Sequence, residues 1–547
     1  MKEKFFIFGL TFLFMAIHSR AEFFFNAPNN DGVTIYYQTI DGEGDRAMVS
    51  NHPQLYSGVV NIPDSAIYEG VKYSVEAIGP YVFYDNVELT EVSLGPNITV
   101  IMEKAFYNCT ALESIKFGNK VETIEKDAFY GCKSLKSITL PEGLTEIRDG
   151  VFCDCSSLVD ITIPASVTKI GNASFGSCGF TSFTVTDGVT SIGKEAFGLC
   201  KDLTSFSIGE NLSSIGKDIF FGSISLKEIT VSEKNKTYAS IDGVLVNHDK
   251  NELILYPLAK SANYTIPNSI TTIGSYAFYN CTILTGIDGG VNVDSIGPGA
   301  FYLCTGLKTF TFPDKLSYIA DSVFLICLIL DNITIPDGVK YIGNNAFERC
   351  LLNKLTIGNG VSTIGEWTFS DCPGLTKITI PDNVVSIGKL CFYGCNNVAE
   401  LTIGKNLSKI GPYAFGAMSG LKVINNRNAV PQIGENLFDH AMWNPTPKLF
   451  VPIGSGAAYR EADNWNQFLI EETENVSNEA INKENIFIKN TIGGIIISSN
   501  IPEKVCVYTV SGQLVYQTLL ANAQIVSLPR GIYIVKTNKV TKKIAVQ

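Results

Sequence analysis

Positive charge is scarce in this chain: 42 lysines and arginines stand against 53 aspartates and glutamates, and only 17% of the residues are charged. A net charge of −11 attracts no phosphate backbone, so nucleic acid is excluded as an expected partner. Histidine is nearly missing, and His18, His52, His248 and His440 sit in unrelated contexts. A serine or cysteine nucleophile needs a base oriented by a third group, and no segment supplies such a set; His248-Asp249 reads as a hydrated turn. A phosphate-cradling glycine loop and a dinucleotide fingerprint are also lacking, and nothing marks a cleft for the paired carboxylates of a glycosidase. The expectation is a protein with no catalytic residues, no cofactor and no metal.

Long apolar runs are lacking too. After the stretch Phe5 to Ile17, nothing reaches the roughly 18 uninterrupted apolar residues of a membrane span. That first stretch follows Lys2 and Lys4 and precedes Ser19-Arg20-Ala21, so residues 1–21 read as a secretory signal peptide cut after Ala21. The first cysteine is Cys109, which leaves none beside the cut to carry a lipid. An exported mature chain with no membrane-spanning segment is expected, either secreted or held at the cell surface.

What is present is a period. Ile-Gly-x-x-Ala-Phe and its variants start at Ile78, Ile101, Ile124, Ile147, Ile170, Ile192, Ile215, Ile273, Ile296, Ile319, Ile342, Ile364, Ile387 and Ile410, and all fourteen copies have phenylalanine five residues later. A leucine follows in most copies (Leu112, Leu135, Leu158, Leu203, Leu307, Leu375), then an alternating run such as Ile161-Thr162-Ile163-Pro164. Alternation marks a short strand with one buried face, and the proline or glycine that ends it supplies the turn. One coil cannot bury its own Ile, Phe and Leu, but coils stacked at about 4.8 Å place each residue above its copy. The expected fold is therefore a mainly β repeat solenoid of about 23-residue coils over 78–424, with a variant coil or insertion near 232–265.

Eleven of the fourteen cysteines occupy one column of the repeat: Cys109, Cys132, Cys155, Cys178, Cys200, Cys281, Cys304, Cys327, Cys350, Cys372 and Cys395. Stacking points them in parallel instead of at each other, so they read as small buried hydrophobes and not as disulfides. Cys153 with Cys155, and Cys391 with Cys395, have no local partners to complete a zinc site.

The pattern Ile-Gly-x-x-Ala-Phe-x-x-Cys-x-x-Leu-x-x-Ile-x-Ile-Pro resembles the BspA-like branch of leucine-rich repeats, a branch found in surface and secreted proteins, notably of Bacteroidetes. The resemblance covers most of the mature chain and implies adhesion or host-protein binding. Residues 22–77 read as an N-terminal β cap and 425–470 as its C-terminal counterpart, covering the apolar ends and open strand edges of the stack. A polar linker is expected over 471–480. Residues 481–547 read as a small C-terminal β-sandwich, in which Val507-Tyr508-Thr509-Val510-Ser511-Gly512-Gln513, Leu528-Pro529-Arg530-Gly531-Ile532-Tyr533 and Lys542-Lys543-Ile544 are similar to type 9 secretion sorting domains. That similarity implies secretion machinery as a partner, although the Asn-Pro that often opens such domains is missing.

The expected binding face is the outward column of each strand: Thr139, Thr162, Thr184, Thr230, Thr311, Thr334, Thr356, Thr379 and Thr402, with Ser207 in one copy. The position two residues earlier varies, including Asp160, Ser182, Glu228, Lys354, Lys377 and Glu400. Such a face offers many weak polar contacts to an extracellular protein, or alternatively to a glycan, with a passive surface-coat module as the other alternative. A β-branched polar residue also suits any solvated strand. Exposed aromatics would favour the glycan. The phenylalanines belong to the core column and Trp367, Trp443 and Trp465 are scattered, which favours a protein.

Overall fold

The computed structural model describes residues 22–40, 44–51, 55–439, 443–474, 486–491, 494–499, 503–520, 524–537 and 541–546. The expected signal peptide, residues 1–21, and most of the expected linker lie outside these residues. The chain divides into two compact units, residues 1–352 and 353–547. Repeat coils form a β-solenoid in each.

The first unit begins with β1 (Phe24–Pro28), β2 (Thr34–Thr39), β3 (Arg46–Val49), β4 (Gly58–Asn61), β5 (Ser65–Tyr68) and β6 (Val71–Ile78). β1, β2 and β3 pair antiparallel, β3 pairs parallel with β6, and β6 pairs with Val100–Ile101 of the first full coil. Buried Ile35, Tyr37, Val49 and Val75 alternate with polar neighbours along these strands, as a sheet with one buried face requires. β4 opens the other ladder by pairing with Leu89–Ser93.

Each regular coil contributes two short parallel strands. In one, Ser137–Thr139 pairs in register with Asp160–Thr162; in the other, Glu146–Ile147 pairs with Lys169–Ile170. The remaining side, between the repeat isoleucine and the cysteine, is a ladder of turns. Three amides per coil donate to the next coil: in one copy, Asp127 to Asp149, Phe129 to Val151 and Gly131 to Cys153, at 3.0, 2.9 and 2.8 Å. These satisfied amides allow a turn to run through the interior without stranded donors.

Inside, the phenylalanines stack. Centroids from Phe83 through Phe106, Phe129, Phe152 and Phe175 to Phe197 are 4.8 to 5.8 Å apart, with nearly parallel rings. A second run in the same unit joins Tyr256, Phe278, Phe301, Phe324 and Phe347. In the second unit, Phe369, Phe392, Phe415 and Phe438 form a third. Fully burying each ring stabilises the fold by about 1.5–3 kcal/mol relative to exposure.

Between the first two runs the period breaks. Tyr238–Ile241, Val244–Asn247 and Glu252–Leu255 form an antiparallel meander, whose last strand returns to the parallel ladder by pairing with Thr272–Ile273. Asn235 anchors the entry: its buried amide donates to Gly209 and Leu212 carbonyls and accepts from the Thr237 and Tyr238 amides.

In the second unit the strand ladder runs from Lys377–Thr379 through Glu400–Ile403, Val423–Asn426 and Lys448–Pro452 to Leu469–Thr473. A six-residue helix, Gly456–Glu461, precedes the buried Trp465, whose indole donates to the Gln432 carbonyl at 2.8 Å. The described residues within 486–546 form two antiparallel sheets of three and four strands sharing an apolar cluster that includes Ile495, Val505, Val507, Val526 and Val535.

Candidate binding face

The strand column is set by alternation. Ile138, Phe183, Ile229, Phe310 and Ile333 point inward and are buried, which turns Thr139, Thr184, Thr230, Thr311 and Thr334 to solvent. Thr162 is likewise exposed in the first unit, as is Thr356 in the second, whereas Thr379 is half-buried. Thr139 lies in register with Thr162, and Thr184 with Ser207 and then Thr230. Ser207 and Thr230 share a hydroxyl hydrogen bond of 2.9 Å.

Two departures follow from the structure. Thr402 does not belong to an exposed face: it is fully buried, and its Oγ1 has no hydrogen-bond partner among the described residues. It stands in register between Thr379 and Asn425, on a strand lengthened to four residues. Asn425 is itself only 5% exposed and reaches Glu400, so longer side chains lie over this end of the column. The column is also interrupted by Asp288, which stands between Thr265 and Thr311 in the ladder.

Charges beside the column pair across coils. Lys116 meets Glu91 at 2.6 Å, Lys136 meets Glu113 at 3.1 Å and Lys377 meets Glu400 at 2.9 Å. Exposed pairs of this kind are worth about 0.2–1 kcal/mol each.

An aromatic stripe escaped the sequence reading. The residue after the core phenylalanine is often tyrosine, and Tyr84, Tyr107 and Tyr130 stack at 5.0 and 4.7 Å. The signal was present as a repeated Phe-Tyr pair. Because the rings cover one another's faces, they offer mainly edges, which suits sugar stacking poorly.

The cysteine column does more than fill space. The thiols of Cys109, Cys132, Cys155, Cys178, Cys304 and Cys327 each donate to the carbonyl of the phenylalanine one coil earlier, at 2.9 to 3.2 Å. Ser223 takes the same place and donates to Phe197 at 2.7 Å. All fourteen cysteines are free thiols. Burial pushes Cys200, Cys304 and Cys395 up to about 12, which keeps them protonated and poor as nucleophiles or metal ligands near neutrality.

Six copies of the BspA type leucine-rich repeat region match this chain, over residues 76–201, 168–241, 256–350 and 321–443. The chain belongs to that family. Only 242–255, within the meander, falls between the matched stretches. Family members are repeat proteins that work by binding, usually without catalysis. Among solved structures, a leucine-rich cell surface protein from Faecalibacterium prausnitzii A2-165 is similar at 25% identity, covering 71% of this chain and 94% of its own, with a TM-score of 0.45. A leucine-rich repeat protein from Bacteroides ovatus ATCC 8483 is similar at 25% identity over 75% and 97%, with a TM-score of 0.44. No curated protein matches the chain. Among the described residues, no helix is long and apolar enough to cross a membrane.

Proposed function

We propose that this protein is a non-catalytic, exported binding protein, held at the cell surface or released, and that it acts as an adhesin for host or extracellular-matrix proteins. The observation that carries the reading is the in-register column of exposed hydroxyls on a parallel ladder. A partner strand or loop gains many weak contacts along such a face without ordering it. The glycan reading is weaker because the tyrosine stripe presents edges. Residues 481–547 serve in this proposal as a sorting domain read by the secretion machinery.

A binding screen against matrix proteins and glycans tests the reading, with a second protein carrying Thr139→Lys, Thr162→Lys, Thr184→Lys and Thr230→Lys, all exposed in the first unit. Saturable protein binding that this folded variant loses is the expected result. Binding that the variant keeps places the site elsewhere, and glycan binding alone overturns the adhesin.

A further inference from the structure

Among the described residues of the first unit, the turn ladder has a gap after the coil of Phe220, and its cause is a shortage of two residues. Regular coils place four residues between the ladder isoleucine and the core aromatic, as in Ile273 to Phe278. In the meander's return strand only Ile254 and Leu255 separate Leu253 from Tyr256. Leu253 pairs with Ile273 and the Tyr256 amide donates to Ala277, so both ends of this shortened corner are in their ladder positions. The omitted residues are those that would cover the preceding coil.

Three consequences converge there. The ring ladder is interrupted: Phe220 packs on Phe197 and Phe206, Tyr256 on Phe278 and Tyr264, and no ring contact joins Phe220 to Tyr256 among the described residues. The amide ladder is interrupted as well. Asp218, Phe220 and Gly222 occupy the three donor positions that Glu195, Phe197 and Leu199 fill one coil earlier, yet none of their amides has a backbone acceptor among the described residues. Finally, a cavity of about 220 Å³ occupies the gap, lined by Phe220, Phe221, Tyr256, Tyr276, Tyr279 and Lys217 among others. An apolar cavity of about 150 Å³ is large enough for benzene. Lys217 is held at the rim with its Nζ 4.2 Å from the Tyr276 ring centroid.

We infer that this cavity is a binding site for a small aromatic molecule bearing a carbonyl or carboxylate oxygen. The ring replaces the missing rung between Phe220 and Tyr256, and the oxygen accepts from one of the unmatched amides, an arrangement that bridges the ring ladder and satisfies part of the amide ladder. Mixed apolar walls with a few convergent polar groups are the usual composition of such sites. The inference is independent of the threonine face.

The test titrates the full chain with indole-3-acetamide, indole-3-acetate and tryptamine, which share a ring while only the first two carry the oxygen, and with a blocked tripeptide containing tryptophan. Saturable one-to-one binding of the acetamide or acetate is expected, at least tenfold tighter than tryptamine. Leu255→Trp and Leu258→Trp, which fill the cavity, should each weaken it at least tenfold while thermal unfolding shows the fold intact. Should both variants unfold, a crystal of the unaltered chain soaked in the acetamide decides: a ring between Phe220 and Tyr256 supports the site, and a ring elsewhere overturns it. Lack of saturable binding, equal binding of tryptamine, unchanged binding in a folded variant, or binding of the peptide alone also overturns it.

Discussion

Replacing Phe301 by alanine tests the ladder core most directly. Phe301 is fully buried and touches three rings: Phe278 at 4.8 Å, Phe324 at 5.2 Å and Phe310 at 5.1 Å. Buried phenylalanine to alanine costs about 3–5 kcal/mol, and ring pairs each add about 0.5–1.5 kcal/mol beyond their area. The upper part of the first range, about 5 kcal/mol, is expected because rings on both sides lose a stacked face. Phe221 is the control: it is 40% exposed with its ring centroid 6.4 Å from that of Tyr279, and its loss should cost about 1 kcal/mol. Each coil is held by its neighbours, so the damage should be local. Hydrogen exchange read by mass spectrometry should show protection falling first in the coils carrying Phe278 and Phe324. A cost below about 2 kcal/mol, or protection lost evenly across residues 78–352, would refute the nearest-neighbour reasoning.

Cys304→Ser should be tolerated far better than Cys304→Ala, since Ser223 already performs the same donation; urea midpoints of the two variants check this, and equal losses would reduce the column to packing alone. Alkali should destabilise the fold. The Cys304 thiol is raised by burial to about 12, so the native state holds its proton more tightly than an unfolded thiol near 8.5. The stability is complete below about pH 8.5 and is lost at about 1.4 kcal/mol per pH unit per such thiol as pH rises toward 12, which unfolding midpoints at pH 8 and 10 would reveal. Asn235→Ala removes four hydrogen bonds at the meander's entry and should cost about 2–4 kcal/mol, with proteolysis opening first near residues 232–265. Thr402→Val should be neutral or stabilising in thermal unfolding, because the hydroxyl it removes is buried and unpartnered.

The period, the phenylalanine ladder and the burial of the cysteine column were legible in the sequence. Each needs only a residue type recurring at a fixed interval, and stacking then places like on like. Tertiary structure decided what periodicity cannot express. The corner residues adopt left-handed backbone whatever their type: Leu199, Tyr276, Leu303 and even β-branched Ile326 have φ of 58, 58, 62 and 60°. Such conformations are unfavourable for these residues alone and are held by amides bonded to the next coil, so no local glycine rule could find them. Thr402 matches the other threonines in pattern, yet its exposure depends on what packs over it. The cavity has the same origin: two residues fewer in Leu253 to Tyr256 are visible in the letters, but only the neighbouring coils turn that shortage into unmatched amides and an empty rung.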